Sequence, residues 1–407
     1  MGGERDCLRR GSGPLVLATV VTLTVLASSP CLANLAFALE DPTMNMESGW
    51  PQTVSHLPVA GPMAETRDGH IFVVRRRTVD GSSTDQQRSA ACVLWRLRVS
   101  QTSIHDLSAE AGAVVVQGGV AFNDVVSLVS TKDAVWVGTD KGILKARGAT
   151  VEQVRPRALK LAITTPVYSD FTQDGVKGSC VDTNQAVWVI PNWIWPAICV
   201  FDSDPPYESQ QVFHLTGIWA HALCAATSGR GVWVVASQGK RNAIVHLTDD
   251  LLPTSVQRRQ SPWPHSIAIR SLLDQAPTLD LSGIRVGAWG NALWIAGESE
   301  NAVHILVCEN NALKEQRGFE QLLGNSRVTD IAFDKVGTVY FATDGAGVIV
   351  FDGQQWQPHP MNKDLPVVTG TNRKPVNYVL PLSDGRVAVC TGEYLLIWSG
   401  EERKEHR

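Results

Sequence analysis

The sequence predicts an all-β chain of four-stranded antiparallel blades arranged as a β-propeller, on three observations. A short phrase of an aliphatic, an aromatic, an aliphatic and a small residue recurs along most of the chain. Each copy sits among turn-separated apolar runs, and no strong amphipathic helix lies between copies. The phrase reads Ile71-Phe72-Val73-Val74, Val135-Trp136-Val137-Gly138, Val187-Trp188-Val189-Ile190 and Val232-Trp233-Val234-Val235. It returns as Leu293-Trp294-Ile295-Ala296 and Val339-Tyr340-Phe341-Ala342, with a weaker seventh copy at Val387-Ala388-Val389-Cys390. Seven copies predict seven blades; the long gaps Phe72–Trp136 and Trp233–Trp294 leave six or eight open.

Taken in order, residues 1–38 read as a secretory signal peptide. Arg5, Arg9 and Arg10 supply the positive start, Pro14 to Ala27 an apolar run, and Ala36-Phe37-Ala38 a cleavage motif. The other reading of this segment is an uncleaved anchor, but the run is short for the roughly 20 residues a membrane span needs. Residues 39–49 follow as a linker, 50–400 as the propeller, and 401–407 as a charged tail. No transmembrane segment is expected after signal cleavage.

Within the propeller each phrase is the second of four strands. Thr329 to Phe333 forms an alternating run before the turn Asp334-Lys335-Val336-Gly337 and the sixth copy. Thr343-Asp344-Gly345 turns into Val348–Phe351, and Asp352-Gly353 turns again toward Trp356. Strand faces alternate with period two, so the aromatic and its i+2 neighbour point the same way and can fill the wedge between blades. That accounts for 13 Trp in a chain with only 5 Tyr. The seventh copy has three strands, around Tyr378–Leu382, Arg386–Cys390 and Tyr394–Trp398. A spare strand near Trp50–His56 is expected to complete it, closing the ring and hiding both edges.

The phrases Trp136-Val137-Gly138-Thr139-Asp140-Lys141-Gly142-Ile143 and Tyr340-Phe341-Ala342-Thr343-Asp344-Gly345-Ala346-Gly347-Val348 resemble the two-component regulator propeller repeat. The resemblance spans most of residues 60–400 and implies a propeller of the kind that forms periplasmic sensor regions of hybrid histidine kinases. No kinase, receiver or DNA-binding region follows the last blade, so signalling through the same chain is not expected. Quinoprotein-type and NHL-type propellers carry a similar phrase.

Six cysteines lie beyond the signal: Cys92, Cys180, Cys199, Cys224, Cys308 and Cys390. Export permits disulfides, but at least four of these fall at buried repeat positions where other copies carry Leu, Ile, Ala or Gly, so inert core thiols are expected. Common catalytic signatures and clustered metal ligands are absent, which points to no cofactor and no metal. The net charge of -4 gives no reason to expect nucleic acid as a partner.

The loops joining strands two and three, and those between blades, emerge on one face of a propeller and commonly carry its binding residues. There the sequence offers Trp193 and Trp195 in a Pro-flanked insertion, and Trp263 and His265 in the fourth-to-fifth connection. It also offers Arg75 and Arg76 in the first copy, and Lys240 and Arg241 in the fourth. Trp and Arg in rigid loops anchor protein or carbohydrate contacts. The expected function is an exported, monomeric module, periplasmic or on the cell surface or secreted, that binds an envelope or extracellular protein, a peptide or a glycan. A propeller enzyme (a lyase or quinoprotein-like dehydrogenase) and a ligand-sensing subunit for a membrane partner are the alternatives.

Overall fold

The computed structural model describes residues 52–54, 59–76, 92–99, 104–106, 124–140, 142–148, 150–154, 175–192, 197–201, 203, 209–214, 219–226, 231–238, 241–247, 269–270, 279–299, 302–309, 312–391 and 395–399. The first described strand is β1 (Gln52–Val54). Blade 1 is β2 (Val59–Glu65), β3 (His70–Arg76), β4 (Cys92–Val99) and β5 (Ile104–Asp106). Blade 2 is β6 (Val125–Ser130), β7 (Val135–Thr139), β8 (Gly142–Arg147) and β9 (Thr150–Gln153). Blade 3 is β10 (Val176–Val181), β11 (Val187–Pro191), β12 (Ala197–Phe201) and β13 (Ser209–His214). Blade 4 is β14 (Trp219–Ala225), β15 (Val232–Gln238), β16 (Arg241–Leu247) and β17 (Ile269–Arg270). Blade 5 is β18 (Asp280–Trp289), β19 (Ala292–Ser299), β20 (Ala302–Glu309) and β21 (Ala312–Glu315). Blade 6 is β22 (Val328–Phe333), β23 (Val339–Thr343), β24 (Val348–Phe351) and β25 (Trp356–Pro358). Blade 7 is β26 (Tyr378–Pro381), β27 (Val387–Cys390) and β28 (Leu395–Trp398), completed by β1.

Among the described residues these strands make seven four-stranded sheets, paired antiparallel in chain order except the last. There β1 joins β28, with Gln52 opposite Ile397 and Val54 opposite Leu395. The spare N-terminal strand thus closes the ring, as its sequence position predicts. First strands touch their neighbours around a circle, from β2 through β6, β10, β14, β18 and β22 to β26, and β26 touches β2. They therefore surround the central axis.

Packing explains why the phrase recurs. Seven apolar clusters fill the seven joints between blades. In every blade the second residue of the phrase faces the next blade and its two neighbours face the previous one. Trp136 packs with blade 3, whereas Val135 and Val137 pack with blade 1. Trp188 packs with blade 4, whereas Val187 and Val189 pack with blade 2. The same holds for Trp294 toward blade 6 and Tyr340 toward blade 7. Trp136 and Trp188 are completely buried. A buried aromatic removes roughly 150–250 Å² from water, worth at most about 4–6 kcal/mol at about 25 cal/mol per Å².

The turn between first and second strands is itself a repeated device. Among the described residues, in four blades the backbone N–H of its first residue donates to the carbonyl four positions on, and the fourth residue donates back to the first. This pattern holds for Thr66–Gly69, Asp182–Gln185, Asp334–Gly337 and Leu382–Gly385. The fourth position is left-handed in each, with φ of 79° at Gly69, 66° at Gln185, 94° at Gly337 and 90° at Gly385. Glycine adopts that conformation without strain; Gln185 is the exception. In blade 3, Asp182 Oδ1 accepts from the N–H of Asn184 and of Ala186, each at 2.9 Å, and Oδ2 accepts from Trp188 Nε1 at 2.8 Å. In blade 6, Asp334 repeats this toward Val336, Thr338 and the Tyr340 hydroxyl, the last at 3.4 Å. A carboxylate here closes the turn and anchors the polar edge of the interblade aromatic.

Cys180, Cys199, Cys308 and Cys390 are buried, Cys224 is half-buried, and all five are free thiols. Burial raises the pKa of Cys180, Cys199 and Cys224, which suppresses thiolate chemistry.

Candidate functional site

In blades 1 to 6 the first strand carries an irregularity in its pairing, always nearer its beginning. It falls between Val59 and Met63, Val125 and Ser127, Val176 and Gly178, Ala220 and Ala222, Asp280 and Arg285, and Val328 and Asp330. A bulge inserts an unpaired residue and re-aims the side chains beside it. Because strands alternate in direction, this level lies at the end of the ring from which the second-to-third-strand connections leave.

At or beside the bulges stand Lys177 of blade 3, His221 of blade 4, Arg285 of blade 5 and Asp330 of blade 6. Tyr378 of blade 7 occupies the register position of Asp330, opposite Cys390 as Asp330 is opposite Ala342. Lys177 and Arg285 are exposed; His221, Asp330 and Tyr378 are half-buried. Trp219, at the same end of β14, is 41% exposed.

Polar bonds tie the inner strands across the joints. Ser127 and Ser179 meet at 2.7 Å between their hydroxyl oxygens. Arg285 Nε donates to the Thr329 carbonyl and the Thr329 hydroxyl donates to the Val376 carbonyl, both at 2.5 Å. Asp330 accepts from the N–H of Val379 at 3.1 Å and from that of Ile331 at 3.0 Å. Within blade 4, His221 Nε2 lies 2.8 Å from the Ser237 hydroxyl.

These groups feel one another. Burial raises the Asp330 carboxyl to a pKa of about 7, against the opposing pull of its two backbone donors and of Arg285. Burial raises the Tyr378 hydroxyl too, with the charge of Asp330 adding to it, Arg285 opposing and Asp124 of blade 2 contributing. Burial lowers His221, and the nearby Lys177 charge lowers it further. A carboxyl strongly perturbed by burial beside an arginine and a tyrosine has the physical character of a functional site.

Of the residues singled out from sequence, Arg75 and Arg76 end β3, opposite Val93 and Cys92, and Arg241 opens β16, opposite Gln238. Trp193, Trp195, Lys240, Trp263 and His265 lie outside the described residues. The strands bracketing Trp193 and Trp195 are β11 and β12, the second and third of blade 3. The expectation for Trp263 and His265 needs correcting. The strands on either side of them, β16 and β17, pair as the third and fourth of blade 4, through Val245 with Ile269. Their segment therefore belongs inside blade 4, between strand ends opposite the bulges, and does not join blade 4 to blade 5. In sequence the long gap after β16 reads as an interblade connection because β17 has only two residues, Ile269-Arg270.

Sequence reasoning missed Lys177, His221, Arg285, Asp330, Tyr378 and Trp219. Each lies on the first strand of its own blade, and only the ring assembles them.

Seven radial blades of four strands, latched by the N-terminal strand, define a seven-bladed β-propeller. No family model matches the chain, and no curated protein matches it. Among solved structures it is similar to streptogramin B lyase, with a TM-score of 0.52 and 14% identity over 86% of this chain and 96% of that one. It is also similar to YCF48 bound to the D1 peptide, with a TM-score of 0.52 and 13% identity over 88% of this chain and 98% of that one. A third is the extracellular domain of a hybrid two component system, BT4673 from B. thetaiotaomicron, with a TM-score of 0.50 and 12% identity. That match covers 87% of this chain, which spans 40% of that domain. At these identities the likeness is one of fold. Among the described residues no helix is long and apolar enough to cross a membrane.

Proposed function

We propose that the chain is exported and works as a binding module of the two-component regulator propeller type. On this reading its ligand or partner docks over the channel end that carries the bulges. One observation carries the reading: Lys177, His221, Arg285, Asp330 and Tyr378 come from five successive blades and stand at one level of the inner strands, with Trp219 at the same end of β14. A surface built from separate blades is held rigid by the joints beneath it, and rigidity limits the entropy lost on binding. Trp193 and Trp195, between the second and third strands of blade 3, and Lys240 and Arg241 of blade 4 belong to the same proposed surface. The YCF48 structure, with its bound peptide, is an instance of this fold engaging a polypeptide.

The test is affinity capture from the native envelope with the full chain, beside Trp193→Ala/Trp195→Ala and Arg285→Met. A protein held by the parent and lost by both variants supports the reading. Capture unchanged by either refutes the assigned face.

A second reading, acid–base catalysis at the same place, is favoured by the Asp330 pKa of about 7, which suits proton transfer near neutrality. Turnover of an envelope metabolite that Asp330→Asn abolishes would replace the first reading with this one.

A further inference from the structure

On the opposite end of the ring, where first strands turn into second strands, a cavity of about 370 Å³ opens between blades 1 and 2. That size lies within the roughly 300–1,000 Å³ range of small-molecule sites. Its apolar lining is Phe72, Ala134 and Ala146, all buried. Its polar lining includes Arg67, Asp68, Arg96, Lys132 and Asp133, drawn from both blades.

The charges do not cancel. Asp68 is already engaged: the Thr66 hydroxyl donates to its Oδ1 at 2.5 Å, and its Oδ2 lies 2.8 Å from His70 Nδ1 and 3.7 Å from Arg96 Nη2. Burial works against ionisation of Asp68, but those partners outweigh it and hold the carboxyl below its usual pKa. Asp133 pairs with Arg147. Both carboxylates are therefore spoken for, whereas among the described residues neither Arg67 nor Lys132 has an ion-pair partner. Arg96 is largely sheltered, its side chain 23% exposed. It uses Nη2 toward His70 and Asp68, which leaves its Nε and Nη1 without a partner among the described residues. A guanidinium offers five N–H donors in a fixed fork that matches an oxyanion. Here that fork is oriented from behind by a buried histidine and a carboxylate, inside a cavity whose rim carries two further cations.

We infer that this cavity is a second binding site, on the face opposite the first, for a small molecule bearing a phosphate or carboxylate group on a sugar-sized body. Arg96 takes the oxyanion through its free donors, Arg67 and Lys132 supply charge from the rim, and the body lies against Phe72, Ala134 and Ala146. The site rests on different residues from the proposed channel surface and stands or falls separately.

The experiment is isothermal titration calorimetry of the full chain with inorganic phosphate, glucose 6-phosphate, glucuronate and glucose. Saturable binding of glucose 6-phosphate or glucuronate is expected, tighter than inorganic phosphate, with none of glucose. Affinity should fall at least tenfold in Arg67→Ala/Lys132→Ala, whose exposed side chains can be removed without disturbing the fold, and should weaken with added salt. Arg96→Lys keeps the charge but loses the fork, so it should also bind at least fivefold more weakly. The ranking of glucose 6-phosphate against glucuronate tells phosphate from carboxylate ligands. The absence of binding to all three anions overturns the inference, as does anion binding that the rim substitutions leave unchanged.

Discussion

Replacing Asp182 by Ala tests the claim that the turn carboxylate anchors the interblade tryptophan. Asp182 is 2% exposed and accepts three hydrogen bonds. Two of its donors, the N–H groups of Asn184 and Ala186, lie in an exposed or half-buried turn and can turn to water; losing each costs about 0.5–1 kcal/mol. The third, Trp188 Nε1, belongs to a completely buried ring, and stranding it costs about 1–3 kcal/mol. The expected loss is therefore about 2–5 kcal/mol. In Asp334→Ala the corresponding donor is the Tyr340 hydroxyl, half-buried and 3.4 Å away, so the loss should be about 1–2 kcal/mol. Urea unfolding followed by tryptophan fluorescence measures both, with matched slopes as the check that one cooperative transition is being compared. A double-mutant cycle with Trp188→Phe, which removes only the indole donor from the pair, should return a coupling of about 1–3 kcal/mol. Equal losses for Asp182→Ala and Asp334→Ala, or additivity in the cycle, would refute the reasoning.

Asp330 has a folded pKa of about 7, above the roughly 3.9 of an unfolded aspartate. The native state therefore binds more protons between those values, and stability contributed by protonated Asp330 is lost as pH rises from about 4 to 7. Asp330→Asn should narrow the difference between urea midpoints at pH 5 and pH 8; parallel pH profiles for parent and variant would count against the buried carboxyl. In β1, Thr53 and Val54 pair with Leu396 and Leu395, and successive N–H groups point to opposite sides of a strand. Replacing both by Pro must remove one ladder bond, so amide exchange in Leu395–Trp398 should accelerate at least tenfold while Val135–Thr139 in blade 2 stays protected. Unchanged exchange at Leu395–Trp398 would show that β1 does not hold the last blade.

Much of the ring was legible because its packing rule is written in single residues. An aromatic flanked by aliphatics, present in six of the seven copies, is enough to assign a strand and both its faces. The closing strand was legible because the last copy is one strand short. The turn aspartates were visible only as turn formers: the six-residue spacing from Asp182 to Trp188 and from Asp334 to Tyr340 carries their second role. The channel end was not legible. A bulge shifts the period-two pattern by one, so Lys177, His221 and Asp330 read as ordinary polar residues of half-buried strands. The blade 1–2 cavity was hidden for a simpler reason: Arg67, Arg96 and Lys132 meet only because consecutive blades lie side by side.

The way the ring closes also bears on the order in which the chain can become stable. β1 is the first described strand to be synthesised, yet its partner among the described residues is β28, the last described strand. Through most of synthesis it is an unpaired edge, and blade 7 has an open outer edge until it returns. Among the described residues this contact joins the strands farthest apart in sequence. An incomplete chain, whichever end it lacks, keeps an unsealed strand. Pairing of β1 with β28 is the contact by which the two ends of the propeller meet in one sheet.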